Sequence, residues 1–485
     1  MKLKRLISDI AYKYISGDLE QEIQAVTYDS RKVSKGSLFV CIKGYQSDGH
    51  DYIQKAIKNG ASALIVEKIP DFPVDISVIQ VTDAREALAY ISAAWFQYPL
   101  RKMIAIGLTG TKGKTTTSHM IKKILEEAGY KVGMIGTIGA FIGDEKIPTK
   151  NTTPESYELH YLFDKMLKAG CRYVVMEVSS QGLKQKRTAG IIFDYGAFLN
   201  ISPDHIGAGE HADFEEYLNC KKMLFRQTKN TVVNIDASYW KEVTEDAKKI
   251  FTVSTHSDAD LVGNNIKNIW KPGILGVTFQ LSGKLQGNMV LNMPGKFNVE
   301  NALIASAIAF LNGINEKTVF LALKEVSVKG RTQLLQEVSH FSTFIIDYAH
   351  NALSMEALLR MLKAYHPKRL ICLFGGGGNK PRQRRYDMGE SAGKYADLTI
   401  ITTDNPRYES PYEINRDIIQ GLEVNHGSYQ IIMDRRQAIH YLLDNCGRDD
   451  IVALIGKGHE EYQEINGVKY FFSEEKIVRD YIETK

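Results

Sequence analysis

No run of apolar residues in this 485-residue chain approaches the roughly 18 needed to cross a bilayer; the longest candidate, near Ala302 to Leu311, is too short, so no membrane span is expected. Cysteine is scarce. Cys41, Cys171, Cys220, Cys372 and Cys446 are odd in number, widely spaced and without a CxxC pair, which excludes a zinc ribbon and a disulfide framework and leaves reduced core residues of a cytosolic chain. Excess charge is also small: +4 over the whole length is too slight for the dense basic face that nucleic acid requires. The opening segment MKLKRLISDIAYKYI lacks the apolar core and small-residue cleavage site of a signal peptide, so export is not expected and the location is read as cytoplasmic. No internal repeat or low-complexity stretch stands out.

What is present is an ordinary globular balance, 44% hydrophobic and 24% charged, on a chain long enough for about three domains. Strand-like pieces such as GSLFVCI alternate with turns from Leu19 to Glu67, with a helical stretch near Tyr52 to Asn59. An amphipathic segment, Ala84 to Phe96, runs up to Tyr98-Pro99, and the residue before proline disfavours helix, which sets a boundary near 99–102. Next come strand MIAIGLTG, loop TKGK, helix TTTSHMIKKILEEAG and strand KVGMIG, then the apolar runs CRYVVMEV and FDYGAFLN, as in a parallel sheet covered on both faces. The pattern relaxes at Ser327 to Gly330. A second doubly wound series follows: STFIIDYAH, RLICLFGGGG, DLTIITTDNP and IVALIGKG. The chain therefore reads as α/β, with domains over 1–101, 102–330 and 331–485.

Gly110, Thr111, Lys112, Gly113, Lys114, Thr115 and Thr116 (GTKGKTT) follow a strand and open a helix, the setting in which backbone N–H groups and a helix N-terminus cradle phosphate. Lys114 then neutralises the β/γ-phosphates and the Thr115 hydroxyl meets Mg²⁺, although Leu108 stands where such loops usually have their first glycine. Glu177, at the end of CRYVVMEV, suits a metal beside that loop; taken alone it reads equally as a solvated carboxylate. His205 alone reads as a hydrogen-bonded loop residue, and Lys221 as a solvated helix lysine.

With GTKGKTT, MEVSSQGL, DH, GKFNVEN, GR, DYAH, DNPR and GKGHEEYQ in this order, the chain resembles the Mur ligase family from about Asp29 to Gln463. Within it, the likeness is greatest to the members that add the third residue of the peptidoglycan peptide stem. The resemblance implies three domains: one for the UDP-sugar, a central P-loop ATPase domain, and a Rossmann-like C-terminal domain for the incoming amino acid. It implies that Ser30 meets the uridine diphosphate and that Thr152, Thr153, Ser179, Gln185 and Arg187 meet the UDP-MurNAc-dipeptide, an arginine suiting bidentate anion binding. Glu177 and His205 are implied to bind magnesium, with Lys221 carrying a CO₂-derived carbamate. Asn298, Asn301, Arg331 and Asp347 are implied to contact ATP, domain closure assembling the site.

The implied reaction phosphorylates the D-glutamate side-chain carboxylate, and the amine of a diamino acid then attacks the acyl phosphate. Asp404, Asn405, Pro406 and Arg407 (DNPR) resemble the signature for meso-diaminopimelate, with Gly456 and Glu460 completing the pocket. The substrates are thus small molecules, with no nucleic acid, and the protein a monomer. Two departures stand out: Lys380 occupies the place of a carboxylate-binding arginine, with Arg382 nearby, and the loop carrying His211 differs from the commoner type. A lysine cannot reproduce the arginine fork. L-lysine as the amino acid, a folylpolyglutamate-type ligase and a non-ligating Mur-like subunit are the rival readings; DSRKV with DNPR argues against the second, and the missing cysteine ribbon with the retained Lys114, Glu177, His205 and Lys221 against the third.

Overall fold

Alternation of apolar residues along short strands, and stripes of them along helices, build two compact units: Met1–Val262 with Leu303–Thr318, and Gly263–Ala302 with Val319–Lys485. The computed structural model describes residues 1–44, 47–207, 209–338 and 342–484.

The first unit begins with a five-stranded sheet in the order Lys13–Ser16, Ser77–Gln80, Ala61–Val66, Ser37–Val40, Ala25–Thr27. Only its first pair is antiparallel. Side chains alternate across a strand, so Leu38, Val40 and Ile65 pack on one face with Leu88 and Ile91 of helix Ala84–Trp95. Phe39, Leu64 and Val66 pack on the other with Ile53 of helix Ile53–Lys58. The longer helix stops one residue before the expected end at Phe96; Tyr98 then takes a left-handed φ of 55° and a 3-10 turn, Pro99–Lys102, follows.

The same unit continues into parallel strands ordered Ile250–Ser254, Thr228–Asn234, Phe193–Phe198, Ile104–Thr109, Tyr173–Glu177, Val132–Gly136, closed by the antiparallel hairpin Gly139–Ile142 and Glu145–Ile147. From Ile104–Thr109 the chain winds to one side through Val132–Gly136 and Tyr173–Glu177, then to the other through Phe193–Phe198. Such a reversal opens a crevice beyond the strands' carboxyl ends. The loops after Thr109, Glu177 and Phe198 all leave from there.

In the second unit a six-stranded sheet runs Gln333–Leu334, Thr343–Asp347, Asp450–Ile455, Arg369–Phe374, Leu398–Ile401, Tyr429–Ile431. The four strands expected from sequence are its parallel centre; the antiparallel edge Gln333–Leu334 and the short Tyr429–Ile431 were not foreseen. Ile345, Cys372 and Ala453 face one core, Ile346, Leu373 and Leu454 the other. At roughly 1.5–3 kcal/mol for each large apolar side chain removed from water, this two-sided burial holds the strand ends, and so the loops, in place. No described helix is long and apolar enough to cross a membrane.

Candidate active site

The loop after strand Ile104–Thr109 turns through Gly113, whose φ of 87° favours glycine, and feeds helix Lys114–Glu127. Asn200, from the neighbouring strand's loop, grips it: its Oδ1 accepts from Lys112 N at 2.9 Å, its Nδ2 donates to Lys112 O at 3.1 Å, and its carbonyl accepts from Thr111 N at 3.0 Å. The Thr111 hydroxyl meets the Tyr217 hydroxyl at 2.9 Å. Neither clamp was legible in the sequence, because both partners lie about 90 residues or more away in the chain.

Two lysines converge on one carbonyl. Lys114 Nζ donates to Gly110 O at 2.7 Å and to Thr111 O at 3.2 Å; Lys221 Nζ donates to the same Gly110 O at 3.0 Å. Lys221, from helix Phe214–Arg226, is 1% exposed and stands 4.4 Å over the Tyr217 ring. Burial, aided by the neighbouring Lys114, pushes its ammonium pKa well below the usual lysine range. Burial likewise pushes the Tyr217 phenol up to about 12.

Glu177 ends the adjacent strand and is 1% exposed. Its Oε2 accepts from the Thr115 hydroxyl at 3.1 Å and the Thr137 hydroxyl at 3.1 Å, and its Oε1 from Thr137 N at 3.0 Å. Thr137 and Gly136 escaped sequence reasoning, which took KVGMIG only as a strand. A Cβ on Gly136 would lie 2.1 Å from Glu177 Oε1. Gly136→Ala is therefore expected to displace the carboxylate and lower the turnover of the reaction at this site by about tenfold or more, the scale on which groups that orient a site's ligands act, with circular dichroism unchanged. Wild-type turnover would show that the carboxylate's position is unimportant.

His205 has a left-handed φ of 55° and an exposed side chain, with Nδ1 3.1 Å from Glu210 Oε1. Its ring lies 6.3 Å from that of Tyr217, and no hydrogen bond or ion pair joins it to Glu177 or Lys221. Among the described residues no group of three or more His, Cys, Asp or Glu is placed to hold a metal. His211 is fully buried, its Nε2 2.9 Å from Ser180 Oγ and its Nδ1 3.7 Å from Glu216. Its backbone N donates to His205 O at 3.0 Å, so it fastens the His205 loop to the end of the Glu177 strand.

Thr153, buried, donates through Oγ1 to Glu177 O at 3.0 Å and accepts from Ser179 N at 3.0 Å; Thr152 meets Thr137 at 3.1 Å between hydroxyls. Ser179 caps helix Ser180–Lys184. Arg187 is engaged within the protein: Nη1 donates to Thr153 O at 2.8 Å, Nη2 to Gln185 Oε1 at 2.6 Å, and Nε lies 2.7 Å from Glu155. Glu155, unforeseen, also pairs with Arg85 at 3.2 Å. Ser30 is buried at the start of the 3-10 turn Ser30–Lys32, its carbonyl accepting from Asn59 Nδ2 at 3.2 Å.

The second unit holds the remaining candidates. Asn298 and Asn301 are buried, Asn301 Nδ2 donating to Asn298 Oδ1 at 3.2 Å. Asp347 accepts from Thr332 N at 2.7 Å and Ala349 N at 2.8 Å, and burial raises its pKa. The Arg331 guanidinium stands 5.0 Å from the Tyr348 ring centre. Around DNPR, Asn405 Nδ2 donates to Glu460 Oε2 at 2.9 Å, and Arg407 donates through Nε to Glu464 at 3.2 Å and through Nη1 to Gly378 O at 2.6 Å. Arg407 Nη2 makes no hydrogen bond or ion pair among the described residues. Gly378 must be glycine, since a Cβ would lie 1.8 Å from Pro406 O. Gly456 has φ 108°, and Lys380 and Arg382 are exposed.

Residues 108–309 match the Mur ligase middle domain, 330–458 the Mur ligase glutamate ligase domain, and 22–104 the Mur ligase family catalytic domain. The chain belongs to the Mur ligase family. This Mur ligase, an ATP-dependent amide-bond-forming enzyme of three-domain α/β architecture by its family, is 40% identical over 99% of both chains to "UDP-N-acetylmuramoyl-L-alanyl-D-glutamate--2,6-diaminopimelate ligase 1" of Clostridium acetobutylicum. It is 41% identical to the 2,6-diaminopimelate ligase of Caldanaerobacter subterraneus subsp. tengcongensis, over 99% of this chain and 98% of that one. A solved 2,6-diaminopimelate ligase superposes with a TM-score of 0.74 at 28% identity, covering 100% of this Mur ligase and 99% of that chain.

Proposed function

We propose that this chain is a MurE-type ligase: it joins meso-diaminopimelate to the side-chain carboxylate of D-glutamate in UDP-MurNAc-L-Ala-D-Glu, a cytoplasmic step of peptidoglycan precursor synthesis. The observation that carries the reading is the meeting of Lys114 and buried Lys221 on Gly110 O beside a Thr115–Glu177 hydrogen bond. The three domains are assigned to 1–101, 102–330 and 331–485, and the protein acts as a monomer on small-molecule substrates.

A carboxylate is a poor acyl donor. It attacks the γ-phosphorus of ATP, releasing ADP; the amine then attacks the acyl phosphate, forming the amide and releasing phosphate and a proton. The loop N–H groups and Lys114 hold the phosphates, where developing charge is greatest. Asn298, Asn301, Arg331 and Asp347 are assigned to the nucleotide. Ser30, Thr152, Thr153, Ser179, Gln185 and Arg187 are assigned to the UDP-linked substrate.

The hydroxyl of Thr115 and the carboxylate of Glu177 are hard oxygen donors that would hold magnesium; the family resemblance adds His205, which here pairs with Glu210 instead. Bound there, magnesium supplies Lewis-acid neutralisation of phosphate charge. The Lys221 amine by itself does not fit such a site. Its depressed pKa favours the neutral amine, which adds CO₂ to give an N-carboxylate and a proton, turning a poor ligand into an anionic oxygen donor.

For the amino acid, Arg407 Nη2 and the Asn405–Glu460 pair offer a donor for a distal carboxylate and an acceptor for an ammonium. Diaminopimelate has both groups and lysine only one. The kcat/KM for meso-diaminopimelate is expected to exceed that for L-lysine and L-ornithine by several orders of magnitude, and Arg407→Ala to erase most of that margin. A wild-type preference for lysine, or an Arg407→Ala variant with unchanged diaminopimelate use, overturns the amino-acid assignment.

A further inference from the structure

Lys457 belongs to no group assigned so far, yet it is fully buried at the centre of the DNPR cluster, on the loop after strand Asp450–Ile455. Its Nζ donates to Asn405 Oδ1 at 2.7 Å, and lies 2.9 Å from Asp404 Oδ1 and 3.7 Å from Glu460 Oε2. A buried charge is tolerated only when paired and hydrogen-bonded, and every one of these partners lies in the segments assigned to the amino acid.

Two consequences follow from donor chemistry. An ammonium can only donate, and so can a backbone N–H. Lys457 Nζ and Glu464 N, the latter at 3.0 Å, both point at one side-chain atom of Asn405, which must therefore be its oxygen. The amide NH₂ is thereby turned to Glu460 Oε2 at 2.9 Å. The charged groups are placed as well: Arg407 and Glu464 pair with each other, and Lys457 stands between the two carboxyl groups of Asp404 and Glu460. Asp404 Oδ1 is buried and receives no hydrogen bond from the described residues, the 2.9 Å contact being an ion pair off the hydrogen-bonding direction.

We infer that Lys457 is a positioning residue for the incoming amino acid: its ammonium fixes the Asn405 amide and, seated between Asp404 and Glu460, holds the Glu460 carboxyl in place to receive a ligand ammonium. This rests on the assignment of DNPR and Glu460 to the diamino acid. Glu460 faces Lys457, Asp404, Asn405 and Arg407, with Tyr348 and Tyr462 alongside. Burial raises its pKa and the Lys457 charge opposes that rise. Without Lys457 the carboxyl takes up a proton at higher pH, and its hold on an ammonium is lost there.

The test is steady-state kinetics of the full-length Lys457→Met protein with ATP, UDP-MurNAc-L-Ala-D-Glu and meso-diaminopimelate. KM for diaminopimelate is expected to rise about tenfold or more while KM for the other two substrates changes less than about twofold, the signature of lost binding at one subsite. The acid limb of kcat/KM for diaminopimelate is expected to move to higher pH. Lys457→Gln, which keeps a donor for Asn405 but no charge, serves if the Met variant does not fold and is expected to show the same pH shift. Equal loss toward all three substrates, or an unmoved acid limb, overturns the inference. Failure of the wild type to use any diamino acid would instead sink the assignment on which it rests.

Discussion

Lys221→Ala is expected to lose nearly all ligase activity without losing the fold. The side chain is buried, its ammonium is disfavoured, and its hydrogen bond goes to a carbonyl that Lys114 also serves. Removing it leaves no orphaned acceptor. A lysine whose pKa falls on folding costs stability below its unfolded pKa, and the cost grows as pH drops toward the folded value. Lys221→Met, which keeps the apolar stem and omits the charge, should therefore melt at or above the wild-type temperature while being inactive. Loss of activity with retained stability is what a functional lysine predicts and a structural one does not. Added formate or acetate should restore part of the Lys221→Ala activity by supplying an anionic oxygen near the Glu177 carboxylate. Full activity in Lys221→Arg, which cannot add CO₂ in this way, would refute the carbamate.

Lys114→Ala should lower turnover on the order of a hundred- to a thousand-fold, the usual scale for removing one positioned charge-stabilising donor from a transition state. Its contacts in the protein include the carbonyls of its own loop, Gly110 and Thr111, and Asn200 holds that loop independently. The melting temperature should stay near that of the wild type, which a thermal melt beside the phosphate-release assay will show. Unchanged turnover with normal ATP affinity contradicts the phosphate-loop assignment.

The strand–loop–helix turn of GTKGKTT and the central strands of both sheets were legible in the sequence because their signals are local: an apolar run, a glycine, then a helix opening on Lys114. Glu177 could be placed at a strand end for the same reason. What the sequence hid was contact between distant segments. Thr137 and Gly136 matter only because Val132–Gly136 pairs with Tyr173–Glu177 in a register that brings Glu177 against them. The burial of Lys221 is set by Tyr217 one helical turn back and by a carbonyl 111 residues earlier in the chain. Arg187 reads in sequence as an anion fork; in the fold Glu155, Gln185 and a carbonyl engage it. Lys457 sits between two glycines in a motif, and only the fold shows that it is fully buried against Asn405 and Asp404.

The measurement that bears most directly on the central claim is mass spectrometry of the product formed from UDP-MurNAc-L-Ala-D-Glu and ATP with equal concentrations of meso-diaminopimelate, L-lysine and L-ornithine. One dominant product is expected, heavier than the dipeptide substrate by diaminopimelate less one water, formed with one ADP and one phosphate per amide. A lysine or ornithine adduct as the main species, or ADP released with no adduct, would contradict it.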